Sequence, residues 1–294
     1  MAIYNVFGNQ LNDAFTKSGE SLNTAYDVDG NIAYEKSPIV QTLKAMTFNS
    51  QAFSGINGQE TMLTDVFDTY APDIIGFQEC VSGNNTMPTA AANALSGYQN
   101  RFFSSHYNYN ACFSKFALQN AISQDYETQD PTEWANWRET RSYIKCYLTI
   151  GGKTICWINT HLAVANAQPR YDQCAELFAM AESEEYCIIT GDFNQFSSDT
   201  TSNDWKNMLK QFVDAGYKLA NCENDNSFVW TFSDKKTATG LDDTSAFYAP
   251  NCQDNIIVSG NIDIEAVIFG AIKLDYLNGD TIDHVPITAL LTIN

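Results

Sequence analysis

The chain has 294 residues, 44% of them hydrophobic, enough apolar material for a substantial core, which excludes a disordered or fibrous polymer. Its 35 acidic residues against 16 basic ones give a formal charge of −19 at pH 7, which opposes tight nonspecific coating of a polyanion by Lys and Arg. A polyanionic substrate is still compatible, because cations held by carboxylates invert the local field.

Residues 1–41 are polar, rich in Asn, Ser, Asp and Gly, and differ from the rest of the chain. Asp29-Gly30 between alternating residues predicts a β-hairpin whose turn needs positive φ, so this stretch reads as a small N-terminal appendage ahead of a main domain over 42–294. Met1 to Gln10 lacks a charged start followed by an apolar stretch. No run approaches the roughly 20 apolar residues of a membrane span. The expectation is a protein with no export signal and no membrane span, placed in the cytoplasm, or in a virion if the source is a phage.

From Leu43 onward short apolar runs alternate with helical periodicity, the pattern of a layered α/β domain. Strands are expected at Leu43 to Phe48 and Asp73 to Phe77, with a helix between them whose Leu63, Val66, Phe67 and Tyr70 share one face before Pro72. Tyr143 to Ile150, Thr154 to Asn159 and Cys187 to Thr190 read as further strands, with a helix from Pro169 to Glu182. A helix with Trp205, Leu209, Phe212 and Val213 on one face stops before Gly216. Asn255 to Val258, Ile264 to Ile268 and Ile287 to Thr292 complete the strands. The eight cysteines form no C-x-x-C pair and no zinc-finger spacing. Several sit inside apolar runs such as Cys187-Ile188-Ile189, the usage of a reducing compartment, while pairing of Cys222 with Cys252 stays open.

Polar, ligand-capable residues concentrate where these strands end. Asn49, Gln78-Glu79, Thr160-His161 and Gly191-Asp192-Phe193-Asn194 each follow a strand, Asp254-Asn255 opens one, and Asp283-His284 stands just before the last. Any one of these is an ordinary turn or cap. Six in one chain place carboxylates, amides and two of only three histidines at positions that can converge on one cleft outside the strand ends. Carboxylate and amide oxygens are what hard Mg²⁺ takes.

Taken together, these residues resemble the endonuclease/exonuclease/phosphatase superfamily, the DNase I-like fold. The motifs fall in the family's order: Met46-Thr47-Phe48-Asn49, Ile75-Gly76-Phe77-Gln78-Glu79, Asn159-Thr160-His161-Leu162, Gly191-Asp192-Phe193-Asn194, Asp254-Asn255-Ile256 and Asp283-His284-Val285-Pro286. Asn110 to Lys115 and Trp230-Thr231-Phe232 are softer matches. The resemblance implies an α/β fold, a four-layer αββα sandwich of two packed mixed β-sheets flanked by helices, with 42–294 as the catalytic domain. It implies a divalent-metal-dependent phosphodiesterase that uses Mg²⁺, with Mn²⁺ or Ca²⁺ as substitute or assistant. Glu79, Asn49 and Asp283 would hold the metal. His161, Asp192, Asn194, Asp254 and His284 would carry catalysis, Asp254 fixing the tautomer of His284. Arg141, Trp230 and Thr231 would bind substrate. The family's Glu partner for His161 is matched here by Lys145, which leaves that partner open. His161 sets the chain apart from the abasic-site repair branch, which carries a Tyr-containing motif instead. The partner expected is a phosphoester, with DNA favoured and endonuclease action first. The alternatives are a phospholipid-headgroup (sphingomyelinase-like) or sugar/inositol phosphate hydrolase, and a catalytically silent structural or binding module of a phage-type assembly. The oligomeric state is not legible.

Overall fold

The structure is a computed structural model that describes residues 41–53, 60–81, 87–105, 109–137, 139–196, 202–221, 253–269 and 284–294, together with four short strands in the N-terminal stretch. The chain divides into two compact units, Met1–Val40 and Gln41–Asn294. In the first, β1 (Ala14–Phe15) pairs antiparallel with β2 (Ser21–Leu22), and β3 (Thr24–Tyr26) with β4 (Ile32–Glu35), Ala25 standing opposite Tyr34. The turn at Asp29-Gly30 that joins β3 to β4 lies outside the described residues.

The second unit runs β5 (Gln41–Asn49), α1 (Glu60–Tyr70), β6 (Ile74–Gln78), α2 (Thr89–Ala94), β7 (Asn100–Phe103), β8 (Ala111–Ser114), β9 (Gln119–Asp125), α3 (Pro131–Trp137), β10 (Ser142–Ile150), β11 (Lys153–His161), α4 (Ala167–Ala181) and β12 (Cys187–Asp192). A π-helical turn (Trp205–Leu209) then leads into α5 (Lys210–Asp214), β13 (Lys218–Leu219), β14 (Asp254–Val258), β15 (Ile262–Phe269) and β16 (Ile287–Ile293). One six-stranded sheet has the order β15-β16-β5-β6-β8-β7, the other β13-β14-β12-β11-β10-β9. Each is mixed in the same way. A single parallel pair, β5 with β6 or β11 with β12, sits at the centre and antiparallel strands extend it on both sides. Two packed mixed sheets of six strands each, flanked by helices, make the four-layer αββα sandwich expected from the sequence.

Burial on both faces explains why the central strands read as unbroken apolar runs rather than alternating ones. Between the sheets, Leu43, Ala45, Ile144, Cys146, Leu148, Trp157, Ile188 and Leu291 are fully buried and form one cluster. Outside the first sheet, Leu63, Val66 and Phe67 of α1 pack on Phe48, Phe77 and Phe113. Outside the second, Cys174 and Leu177 of α4, with Met208 and Phe212, pack on Ile158 and Ile189. Helix α1 stops at Tyr70 because Ala71 turns to φ +45 ahead of Pro72, its N–H still reaching Phe67 O at 2.8 Å.

All eight strands read from the sequence form, with ends displaced by at most two residues. Missing from that reading were β1, β2, β7, β9, β13, α2 and α3, while β8 falls on the softer family match at Asn110 to Lys115. Strand β9 is an outer strand of its sheet with no fully buried residue, so it never needed the apolar alternation that announces a strand. Helix α3 is seven residues long, too short to show a period; it is specified by Pro131 at its first position and by Asp130 Oδ1, which accepts from Thr132 N–H at 2.8 Å. No described helix is long and apolar enough to cross a membrane.

Cys80, Cys112, Cys146, Cys156, Cys174 and Cys187 are all buried as free thiols. Burial pushes the Cys174 thiol up to about 12 and Cys80 higher still, so neither is a thiolate at neutral pH. These six cysteines are expected to resist iodoacetamide in the native protein and to react fully once unfolded. Peptide mapping that found any of the six alkylated before unfolding would contradict the buried assignment. Cys222 and Cys252 lie outside the described residues.

Candidate active site

Strand register carries most of the site. Parallel pairing of β11 with β12 sets His161 beside Asp192, antiparallel pairing of β12 with β14 sets Asp192 beside Asp254, and parallel pairing of β5 with β6 sets Asn49 beside Gln78. His284 lies three residues before β16, in the other sheet. The groups therefore come from both sheets and meet at one end of the sandwich.

A cleft of about 550 Å³ opens there. Asn49, Glu79, His161, Asp192, Asn194 and His284 line it, and Arg141 closes one side. Asp192, fully buried, lies at the centre. Its Oδ2 accepts from Asn49 Nδ2 at 3.0 Å and stands 3.5 Å from His161 Nε2 and 3.7 Å from His284 Nε2, while its Oδ1 accepts from Asn194 N–H at 2.8 Å. Burial raises the Asp192 carboxyl and Asp254 adds to the rise, against His284, Asn49 and the Asn194 N–H, which pull it down. Behind it, His284 Nδ1 lies 2.7 Å from Asp254 Oδ2, the geometry that fixes an imidazole tautomer. Asp192, Asp254 and His284 offer ligand atoms within 4.8 Å of one another.

Asn49 Nδ2 also donates to Glu79 Oε1 at 3.1 Å, so one amide ties together carboxylates from two sheets, while its Oδ1 accepts from Gln51 N–H at 3.1 Å. Unlike its buried neighbours, the Glu79 side chain is 40% exposed and reaches into the open cleft. His161 is buried among Asp192, Glu79 (Nδ1 to Oε1, 4.0 Å) and Arg141. Burial, helped by Arg141 and His284, holds its ring well below the usual histidine range, so it is neutral at pH 7. Lys145 is not its partner: that ammonium pairs with Glu184 at 2.8 Å.

Arg141 is almost fully buried, its Nε donating to Glu133 Oε2 at 2.6 Å and its Nη2 lying 3.3 Å from Glu139 Oε2. Its Nη1 is buried without a hydrogen-bond partner among the described residues. Glu133 also accepts the backbone N–H groups of Val164 and Ala165 through Oε1. It thereby joins Arg141 to the chain just beyond His161. Asn194 donates to Leu162 O at 2.8 Å and accepts from Gln253 Nε2 at 3.0 Å, which fixes the turn after β12.

Backbone strain gathers here. Eight described non-glycine residues have positive φ, and Gln51, Ala52, Glu79, Tyr109 and Asn194 among them line this cleft or the hollow beside it. Such conformations persist where surrounding structure over-determines them, which is typical of functional sites.

Beneath the cleft a polar seam joins the sheets. Asn159 Nδ2 donates to Phe77 O at 2.7 Å and Ala111 O at 3.1 Å, and its Oδ1 accepts from Gln78 Nε2 at 2.7 Å and Thr190 Oγ1 at 3.0 Å. Every hydrogen-bonding position of that buried amide is used. Gly76 permits the approach: a Cβ there would lie 2.0 Å from Thr190 Oγ1 and 2.4 Å from Asn159 Oδ1. Gly191 does the same between strands, where a Cβ would meet Thr160 Cγ2 at 2.6 Å.

The structure thus brings together Asn49, Glu79, Arg141, His161, Asp192, Asn194, Asp254 and His284. Asp283, Trp230 and Thr231 lie outside the described residues. Sequence reasoning missed Glu133, Trp137, Glu139, Phe196 and Gln253. Of these, only Gln253 carried a signal, its place beside Asp254.

A sandwich of two mixed sheets with this cluster at its strand ends defines the DNase I-like class of α/β proteins. The chain belongs to the Endonuclease/Exonuclease/phosphatase family, whose sequence pattern matches residues 46–264. Members of that family are phosphoester hydrolases. No match is found among curated proteins. Among solved structures, the chain is similar to the human Nocturnin catalytic domain with bound sulfate anion (17% identity, 86% of this chain and 95% of that one, TM-score 0.60). It is also similar to D. rerio TDP2 complexed with single strand DNA product (16%, 85% and 98%, TM-score 0.59) and to a Bacteroides thetaiotaomicron mannosyl-6-phosphatase (17%, 85% and 99%, TM-score 0.57). At these identities the likeness is one of fold.

Proposed function

We propose that this chain is a divalent-metal-dependent phosphodiesterase, with DNA as the first substrate to test and the unit after the N-terminal appendage as its catalytic domain. The observation that carries the reading is the meeting of Glu79, His161, Asp192 and His284 in one cleft, from strands far apart in sequence.

The donor set fits a hard cation. Glu79, Glu139 and Asp192 line the cleft, and Arg141, already paired with two carboxylates, is the one Lys or Arg among the described lining residues. Oxygen donors left without cationic side chains are what Mg²⁺ accepts. Glu79 would hold the ion, with Asn49 orienting its carboxylate and Asp283 supplying a further one. When bound, such an ion polarises a phosphoryl oxygen and offsets the charge that develops on it.

The other groups have roles their geometry allows. His284, held in one tautomer by Asp254, presents Nε2 toward the same point as Asp192 Oδ2 and takes the proton of an attacking water. Water forms the new P–O bond, one ester P–O bond breaks, and the departing alkoxide takes up a proton. Neutral His161 donates a ring N–H to a phosphoryl or leaving oxygen, and Arg141 Nη1 meets the anion. Asn194 secures the turn that carries Asp192.

The test is hydrolysis of plasmid, single-stranded DNA, RNA, sphingomyelin and a sugar phosphate in Mg²⁺, Mn²⁺ or EDTA. EDTA is expected to abolish activity and Mg²⁺ to restore it, and His161→Ala to lose about 10²- to 10⁴-fold in kcat. Hydrolysis that survived EDTA would remove the metal from the mechanism. No hydrolysis of any phosphoester under any condition would overturn the reading.

A further inference from the structure

A second, smaller hollow of about 190 Å³ adjoins the cleft. The two share Glu79, Glu139, Arg141 and His161. Beyond these, Ala52, Val81 and Tyr109 line the smaller one. On the larger side stand two aromatic rings left open in the folded chain, Trp137 at 52% exposure and Phe196 at 36%. Phe196 is held in place by the Arg170 guanidinium 4.9 Å over its ring and by its own N–H on Asp204 Oδ2 at 3.0 Å.

The residues shared by both spaces carry two of the three buried side-chain nitrogens without hydrogen-bond partners among the described residues, Arg141 Nη1 and His161 Nδ1. A buried guanidinium nitrogen with nothing to donate to is costly and calls for an anion. Resting on the phosphoesterase reading above, we infer that a phosphodiester group sits where the two spaces meet, one ester substituent lying along Trp137 and Phe196 and the other, uncharged and of single-ring size, entering the small hollow.

Size and shape support this. A volume of 190 Å³ corresponds to about six waters at ~30 Å³ each, room for one ring and not for an extended polymer. The walls are set by strained backbone: Ala52, Glu79 and Tyr109 have φ of +51, +49 and +51, tied by Ala52 N–H to Glu79 O at 2.5 Å and Cys80 N–H to Tyr109 O at 2.9 Å. A hollow braced in this way is preformed, and such a shape favours a fitted substituent over bulk water. Two spaces that meet at one anion position also select the diester, because a monoester has a substituent for only one of them.

The experiment compares kcat/KM for thymidylyl-thymidine, for thymidine phosphate methyl ester, for thymidine monophosphate and for a dihexosyl phosphodiester, with Mg²⁺. The dinucleoside or the dihexosyl diester is expected to exceed the methyl ester, whichever wins naming the ring, and both to exceed the monoester by roughly tenfold or more. Val81→Phe fills the hollow and should lower turnover of the ring-bearing diester by about tenfold relative to the methyl ester. Tyr109→Asn removes the ring while tolerating the positive φ, and should erode the same preference, so a misfolded Val81→Phe does not shield the idea. Equal rates on mono- and diester, or a uniform loss on all substrates in Tyr109→Asn, would overturn the assignment. Absence of hydrolysis on every substrate would instead defeat the phosphoesterase reading itself.

Discussion

Asp254→Asn is expected to lower kcat on any phosphodiester the protein hydrolyses by about 10³-fold, within the range for a general base with the wrong tautomer, while leaving the melting temperature close to that of the parent. Asp254 is fully buried, and its Oδ2 lies 2.7 Å from His284 Nδ1. With a carboxylate there, Nδ1 carries the proton and Nε2 offers its lone pair toward the cleft. An amide can donate as well as accept, so it can invert that arrangement and turn Nε2 into a donor. The backbone register that places Asp254 opposite Asp192 is untouched by the change. The measurement is a kcat determination at saturating substrate beside a thermal melt. A variant with parental kcat would mean that His284 does not accept the proton, and a variant that lost both activity and stability would make Asp254 a structural residue first.

Gly76→Ala is expected to destabilise the protein by about 3 kcal/mol, the upper end of ordinary overpacking, because the added Cβ would strike two polar side chains that are already committed. The clash distances of 2.0 Å to Thr190 Oγ1 and 2.4 Å to Asn159 Oδ1 cannot be relieved by a rotamer change alone. Thr190 also accepts from Trp157 Nε1 at 3.0 Å, and Asn159 holds the carbonyls of Phe77 and Ala111. Any shift that makes room therefore strands a buried donor or acceptor. The denaturation midpoint in urea reports the loss. A midpoint within experimental scatter of the parent would show that the sheets can separate locally at no cost, and the seam would lose its assigned part in holding them.

Much of the candidate site was legible because polar residues at the ends of buried apolar strands are conspicuous. Ile75-Gly76-Phe77 announces a strand buried on both faces, and the glutamate two residues beyond stands out against it. The same contrast marks His161 after Ile158 and Asp192 after Ile189. Glu133 offered no such contrast. It lies in a short helix whose amphipathic period is invisible over seven residues, and its importance comes from bonds to Arg141, Val164 and Ala165, up to 32 positions away. Phe196 and Trp137 carried no signal in the sequence; that they remain exposed in a cleft is decided by tertiary packing, to which local pattern is blind. Likewise the partner of His161 stayed open in the sequence, because linear alignment along β10 put Lys145 at the family's Glu position and does not say which way a side chain points; that ammonium pairs with Glu184.

Asn49, the bridge between Glu79 and Asp192, makes the proposed active site a property of an interface within the chain. One sheet brings Asn49 and Glu79, the other brings His161 and Asp192, and neither holds a complete set. Chemistry therefore reports docking: a molecule with both sheets folded but slipped past each other by one residue would keep its spectroscopic content and lose its reaction. Turnover is in this sense a vernier for the alignment of the two halves, finer than any measure of secondary structure.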